Sequence, residues 1–301
     1  MTCLIFATRP SALARWQTQW VIAALQQAWP GLECREKIVT TQGDKILDRP
    51  LPEIGGKGLF TQELEVELLS GQVQAAVHSL KDLPVENPPG LVIGSVPVRG
   101  EARDALVSAR GCTLESLPQG AVVGTSSLRR ASQLLAYRPD LRVEPVRGNV
   151  ETRLRKARDG QYDAVVLAGA GLVRLGLADQ VSQWLPLEVM LPAPGQGALA
   201  VQCAAEDEET LHLLAALEDP AARRATTAER AFLQGLGGGC SLPVAAFARL
   251  AGGELELQGL AASPDGKRLV RVRGFGPDAL LLGADAARQA LAQGAGEFLH
   301  A

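Results

Sequence analysis

Histidine is scarce in this chain and cysteine is scattered. Only His78, His212 and His300 are present, and none stands with a cysteine in a nucleophile-and-base motif, which argues against a cysteine hydrolase or redox enzyme. The five cysteines (Cys3, Cys34, Cys112, Cys203, Cys240) form no CxxC pair and no metal-ligand spacing, and an odd number cannot all pair internally. Reduced thiols in a cytoplasmic setting are therefore expected, with no metal. No segment reaches the length of an apolar membrane span. The amino-terminal Cys3-Leu4-Ile5-Phe6-Ala7 reads as a strand and not as an export signal. Neither sign of charge dominates: the net charge of -3 excludes a general nucleic-acid binder, though local basic clusters remain open. Tandem repeats, low-complexity tracts, Walker loops and zinc motifs are also missing.

What is present is a long alternation of strand and helix. At 301 residues, 47% of them hydrophobic, the chain can fill two or three cores. Apolar runs at 4–7, 35–40 and 73–79 predict strands, and helical spacing of Leu13, Trp16, Trp20, Val21, Ala24, Leu25 and Ala28 predicts a helix that Pro30-Gly31 breaks. Residues 41–57 read as a long loop. A second α/β unit starts near Asp104, with strands at 121–124, 141–146 and 163–168, each followed by a turn. Leu191-Pro192-Ala193-Pro194-Gly195-Gln196-Gly197 reads as a hinge before a strand at 198–202. Strands at 244–250, 254–262 and 268–275 then predict a small antiparallel unit, closed by a helix over 277–299.

Four stretches carry chemistry. Three glycines, Gly237-Gly238-Gly239, follow a helical run over 227–236 and precede Cys240. They stop the helix and open the backbone around a thiol, which reads either as an inert buried cysteine or as a covalent anchor. Lys57, in Gly55-Gly56-Lys57-Gly58, suits an anion at a helix start or a solvated turn equally. Ser79-Leu80-Lys81-Asp82 lies at the carboxyl end of a strand, where α/β sheets bind ligands, so Asp82 is either half of a surface pair with Lys81 or a catalytic carboxylate. His78 packs or caps. Thr125-Ser126-Ser127-Leu128-Arg129-Arg130 enters a helix with two arginines that oppose its dipole, a choice that makes sense for binding an anion. Arg147, Arg153 and Arg174 follow later strands and read with them as a multi-carboxylate or phosphate site. Arg155, Lys156 and Arg158 read as a solvated helix face.

With these residues in view, the chain closely resembles the porphobilinogen deaminase (hydroxymethylbilane synthase) family. The resemblance rests on Ala7-Thr8-Arg9-Pro10-Ser11, Gly55-Gly56-Lys57-Gly58-Leu59-Phe60, His78-Ser79-Leu80-Lys81-Asp82-Leu83-Pro84, Gly124-Thr125-Ser126-Ser127-Leu128-Arg129-Arg130, Arg147-Gly148-Asn149, Pro194-Gly195-Gln196-Gly197 and Gly238-Gly239-Cys240. These stand in the family's order across nearly the whole chain. It implies a transferase of tetrapyrrole biosynthesis that joins four porphobilinogen molecules on a dipyrromethane primer, held by a thioether to Cys240. Ammonia leaves at each step, and hydrolysis releases hydroxymethylbilane. Asp82 matches the family's catalytic carboxylate. Ser79, Lys81, Thr125, Ser126, Ser127, Arg129 and Arg130 match cofactor contacts; Arg9, Ser11, Lys57, Phe60, Arg147, Arg153, Arg174 and Gln196 match substrate contacts, Phe60 as a stacking aromatic. Glu53 departs from the pattern, standing where lysine is expected.

The resemblance also implies the fold. Two α/β domains like periplasmic binding proteins (type II) are expected around a cleft, over 1–98 with 198–216 and over 103–193. A small α+β domain over 219–301, with a three-stranded antiparallel sheet, carries Cys240. A cytoplasmic monomer acting on a small molecule follows, with neither nucleic acid nor membrane as partner. A two-domain anion receptor without catalysis is the alternative; it explains the arginines but needs neither Cys240 nor Asp82.

Overall fold

The computed structural model describes residues 3–45, 58–238 and 242–299. In chain order, β1 (Cys3–Thr8), β2 (Glu33–Ile38), β3 (Ala75–Ser79), β4 (Leu91–Ser95), β5 (Asp104–Val107), β6 (Val122–Gly124), β7 (Arg142–Glu144), β8 (Ala164–Ala168), β9 (Gln183–Trp184) and β10 (Leu199–Ala204) build two five-stranded sheets. Their orders are β2-β1-β3-β10-β4 and β7-β6-β8-β5-β9. The two sheets share one plan. The second, first and third strands of each lie side by side in parallel, and a strand contributed across a chain crossover enters antiparallel beside the third. The two sheets thus repeat one α/β plan, as expected of two like α/β domains.

The described residues up to 100 and those at 198–223 form one compact unit, and residues 101–197 and 224–299 form the other. In the first, the helix Ala12–Ala28 buries Ala14, Thr18, Val21 and Leu25, which recur at three to four residues, and Val21 and Leu25 pack with Leu4 and Phe6 of β1. Ser11 caps that helix by accepting the Ala14 N–H at 3.3 Å. In the second unit, β6 and β8 pack Val123, Ala164 and Val166 against Leu134 of the helix Leu128–Tyr137. Here too β11 (Val244–Ala251), β12 (Glu254–Ala262) and β13 (Leu269–Gly276) form an antiparallel sheet. Its core gathers around Phe232, which is fully buried; burying a side chain of this size contributes roughly 1.5–3 kcal/mol.

Several element boundaries differ from expectation, each for a physical reason. The strand expected at 35–40 forms at Glu33–Ile38, because its parallel pairing with β1 runs from Cys3↔Glu33 to Thr8↔Ile38. The loop expected from residue 41 opens with a helical turn, Gln42–Lys45, and residues 46–57 lie outside the described part. No turn separates β8 from the next helix: Gly169-Ala170-Gly171 begins Gly169–Arg174 directly, with the Gly169 N–H on the Arg103 carbonyl at 2.9 Å. The run expected at 227–236 is the end of a longer helix, Pro220–Gly235, whose start is capped by Asp219 accepting the Ala222 N–H at 2.8 Å. The last helix starts at Ala279, not Pro277, since Asp278 supplies the cap. It stops at Ala292 before Gly294, whose φ is 89°, and a short turn, Gly296–Leu299, comes after it.

Candidate functional site

In the first unit β1 and β3 are parallel neighbours, so the residues that follow them leave the same sheet edge. Arg9 and Ser11 follow β1; Ser79, Lys81 and Asp82 end or follow β3. Asp82 closes a single 3-10 turn, Leu80–Asp82, between Leu80 and Leu83, which are 1% and 3% exposed. The two leucines anchor the turn inward and leave Asp82 exposed, and the Leu80 N–H on the Ala198 carbonyl at 3.0 Å ties it to the start of β10. Lys81 is half-buried beside it. Ser79 Oγ accepts from the buried Gln17 Nε2 at 2.9 Å.

Arg9 is held in a fixed pose. Its Nε donates to Asp44 Oδ2 at 3.1 Å, its Nη2 to Asp44 Oδ1, and its guanidinium lies 4.2 Å from the centre of the Phe60 ring. Burial raises the Asp44 carboxyl, but hydrogen bonds and charge from Arg9, with Thr41, outweigh it and hold the group below its usual range. Gly43 is required here because a Cβ would stand 2.1 Å from Phe60 Cε1. The structure thus places Phe60 between Gly43 and Arg9. His78 is buried, and desolvation, opposed by Gln202 and aided by the Arg9 charge, pushes it down to about 4, so it is neutral near pH 7. Lys57 and Glu53 lie outside the described residues.

The second unit repeats the logic. β6, β7 and β8 run parallel, so Thr125 to Arg130 after β6, Arg147 and Arg153 after β7, and Arg174 after β8 all leave one edge. β5 runs antiparallel to β8 with Asp104 opposite Ala168, which puts the first residue of β5 at that edge too. Asp104 is fully buried and meets both arginines: Arg129 Nη1 donates to Oδ2 at 2.7 Å, and Arg130 Nε and Nη2 donate to Oδ1 at 3.0 and 2.7 Å. Gln196 Nε2 adds a bond to Asp104 Oδ1 at 3.1 Å and one to the Ala102 carbonyl at 2.7 Å. Burial pushes the Arg129 guanidinium down, and Arg130 adds to this while Asp104 counters it. Two cations and one carboxylate leave this nearly closed cluster with a formal surplus of one positive charge.

The neighbouring hydroxyls hold the backbone. Ser126 Oγ donates to the Val146 carbonyl at 2.8 Å and accepts the Val146 N–H at 3.1 Å, while Thr125 Oγ1 accepts the Ser127 N–H at 3.2 Å. Ser127 occupies the cap position of the helix Leu128–Tyr137 but makes no side-chain cap bond. Arg153 Nε donates to the Gly148 carbonyl at 2.8 Å. Arg174 Nη2 donates to the Gly197 carbonyl at 2.7 Å, and burial pushes Arg174 down to about 10. Arg147, three residues past β7, is half-buried; Arg155 and Arg158 are exposed, as expected of a solvated face, but Lys156 is half-buried and its Nζ donates to the Arg147 carbonyl at 3.4 Å.

The helix Pro220–Gly235 ends through Gly237 and Gly238, with φ of 98° and 53°, conformations that favour glycine. Their N–H groups close on the carbonyls of Gln234 and Leu233 at 3.0 Å. Cys240 itself lies outside the described residues, as do Gly239 and Ser241. No group of three or more His, Cys, Asp or Glu placed to hold a metal occurs among the described residues. The residues that sequence reading misses are Gln17, Asp44, Asp104 and Glu229. For Asp104 one signal exists: a carboxylate opening the apolar stretch Ala105-Leu106-Val107 needs a buried partner.

Residues 4–212 match the family model described as porphobilinogen deaminase, dipyromethane cofactor binding domain, and residues 223–292 match that of the porphobilinogen deaminase C-terminal domain. The chain is 50% identical to the porphobilinogen deaminase of Brevibacillus brevis over 97% of this chain and 95% of that one. It is 54% identical to that of a Roseiflexus species over 97% and 96%. Among solved structures it is distantly similar to a nutrient binding protein from Burkholderia cenocepacia bound to methionine, at 14% identity and a TM-score of 0.43, covering 72% of this chain and 92% of that one.

Proposed function

The chain belongs to the porphobilinogen deaminase family, and from that premise we propose that it is a transferase joining four porphobilinogen molecules head to tail. Each addition expels ammonia, and water breaks the last bond to free hydroxymethylbilane. A dipyrromethane group on Cys240 would supply the pyrrole carbon to which the first substrate is joined. The observation that carries the reading is the buried Arg129-Asp104-Arg130 cluster, whose surplus positive charge fits a ligand carboxylate.

In this reading Ser79, Lys81, Thr125, Ser126, Ser127 and Arg129 hold the primer, and Arg130, bonded to Asp104 and the Val166 carbonyl, adds its charge from behind. Arg9, Ser11, Lys57, Arg147, Arg153 and Arg174 receive the acetate and propionate groups of incoming substrate, Phe60 stacks on a pyrrole ring, and Gln196, whose amide N–H bonds go to Ala102 and Asp104, supports the site from behind. Asp82, exposed at the end of its turn, supplies a fixed negative charge beside the cation that forms as ammonia leaves, and it holds or returns a pyrrole proton. We also keep residues 219–301 as a separate module that presents Cys240, and a monomer working in the cytoplasm. No helix of the described residues is long and apolar enough to cross a membrane.

Intact mass of the reduced chain, with peptide mapping, tests the reading. The expected result is an excess of two linked pyrrole units on the Cys240 peptide and release of ammonia and tetrapyrrole from porphobilinogen. A chain that gains neither adduct nor product after incubation with porphobilinogen overturns it.

A further inference from the structure

The two arginines at the start of the helix Leu128–Tyr137 are not equivalent. Arg130 commits its Nε and Nη2 edge to Asp104 Oδ1 and its Nη1 to the Val166 carbonyl at 3.0 Å. Arg129 is held by one nitrogen only: Nη1 donates to Asp104 Oδ2 at 2.7 Å and to the Leu191 carbonyl at 2.8 Å. Its Nε and Nη2 donate to no atom of the described residues. That is the edge a guanidinium offers to a carboxylate in a two-bond fork. Both side chains are nearly closed off, at 6% and 7% exposure, but the fork's nitrogens are not among the fully buried unpartnered atoms of the described residues, so water reaches them and a ligand carboxylate can take its place.

We propose that Asp104 is a positioning residue: it commits Arg130 to the scaffold and aims the remaining fork of Arg129 at a ligand carboxylate. This rests on the proposed function, which supplies the carboxylate. Asp104 touches no ligand in this assignment and acts through Arg129. Two features make the aim rigid. Asp104 opens β5 opposite Ala168, so its backbone is fixed by the sheet, and Gln196 Nε2 spans the Ala102 carbonyl and Asp104 Oδ1 and holds the carboxylate's orientation. The second anchor of Arg129, Leu191, is itself buried and packs with Ala245, Leu260 and Ala262, so it does not follow a moving side chain.

The test is a double-mutant cycle in the full chain, using Asp104→Asn, Arg129→Lys and the pair together. Three quantities are read: thermal unfolding, the fraction of chain carrying the two-pyrrole mass on Cys240, and KM and kcat for porphobilinogen. Each single change is expected to lower the loaded fraction and raise KM by about tenfold, with kcat of the loaded chain changed far less. Because one acts through the other, the pair should raise KM no further than Arg129→Lys alone. KM effects that multiply, or an Asp104→Asn chain that melts lower but loads and binds as wild type, overturn the assignment. If Asp104→Asn does not fold, Asp104→Glu takes its place in the cycle, since it keeps the charge and displaces the fork. Failure of both to fold makes Asp104 a folding requirement and overturns the assignment as well. A wild-type chain that neither loads nor turns over porphobilinogen is a different result: it removes the proposed function, and this inference with it.

Discussion

Glu229, fully buried, accepts the backbone N–H of Gly195 at 2.6 Å, and its other oxygen accepts that of Ala248 at 2.7 Å. One carboxylate on the helix Pro220–Gly235 thereby ties the Pro194-Gly195-Gln196-Gly197 turn to β11. Removing it strands two buried N–H groups. Glu229→Ala is expected to cost about 3 kcal/mol, since each bond to a charged acceptor contributes roughly 1.5–3 kcal/mol and the two are not independent. Glu229→Gln keeps one acceptor oxygen and should cost less. Urea unfolding checks both; midpoints equal to wild type would show that the turn and strand hold without Glu229.

Arg9, Phe60 and Gly43 make a local stack whose weak point is Gly43. An added Cβ 2.1 Å from Phe60 Cε1 forces the ring away and takes the aromatic face from under the Arg9 guanidinium. Loss of such a contact is worth roughly 0.5–2 kcal/mol, so Gly43→Ala should raise KM by about two- to thirtyfold if Arg9 binds substrate. The control is Phe60→Leu. In that background the further change at Gly43 should have little effect on KM, and an undiminished effect would separate Gly43 from the stack.

The parts of this site that sequence reading finds are those written in one short stretch. Asp82 stands out because it stands among polar and charged residues at the carboxyl end of an apolar strand, and Arg129 with Arg130 because two cations in a first helical turn are unfavourable without an anion. The strand alternation likewise foretells two α/β units and seven of their ten strands, but not β4, β5 or β9. What escapes is the choice of distant partners. Gln17 reaches Ser79 across 62 positions, and Asp104 reaches Arg129 across 25. Both pairings depend on where the folded elements lie. Asp104 meets the arginines only because β5 enters antiparallel, which turns the first residue of a strand towards the edge where its neighbours end. No local period encodes that reversal.

His78 predicts how stability responds to acid. The unfolded chain takes up a proton near the ordinary histidine value of 6.5, but the buried side chain refuses it until about 4. Between those values the unfolded state binds more protons, so stability falls as pH falls through the window and is unaffected by His78 above it. At 1.36 kcal/mol for each unit, the full window is worth up to about 3 kcal/mol. Chemical unfolding at pH 7 and pH 5 should show a smaller loss in His78→Gln than in wild type. Other groups titrate in both proteins and drop out of the difference. Equal losses would mean that the folded protein protonates His78 as readily as the unfolded chain does.

Asp82 separates a chemical role from a structural one more cleanly than any other position. It is exposed, and its turn is anchored by the buried Leu80 and Leu83, so Asp82→Asn should leave the melting temperature and unfolding midpoint where they are. The amide keeps the shape and removes the charge. If that charge faces a developing cation, its loss should lower kcat by about 100-fold or more, the scale seen when one preorganised electrostatic partner is removed. KM should move little, because the substrate's carboxylates are received by the arginines and not by Asp82. Glutamate at the same position restores the charge about one carbon farther out and should recover part of the rate. A variant chain with asparagine that turns over normally would assign Asp82 to the surface pair with Lys81. One that binds porphobilinogen as wild type does and fails only in turnover would assign it to the bond-making step.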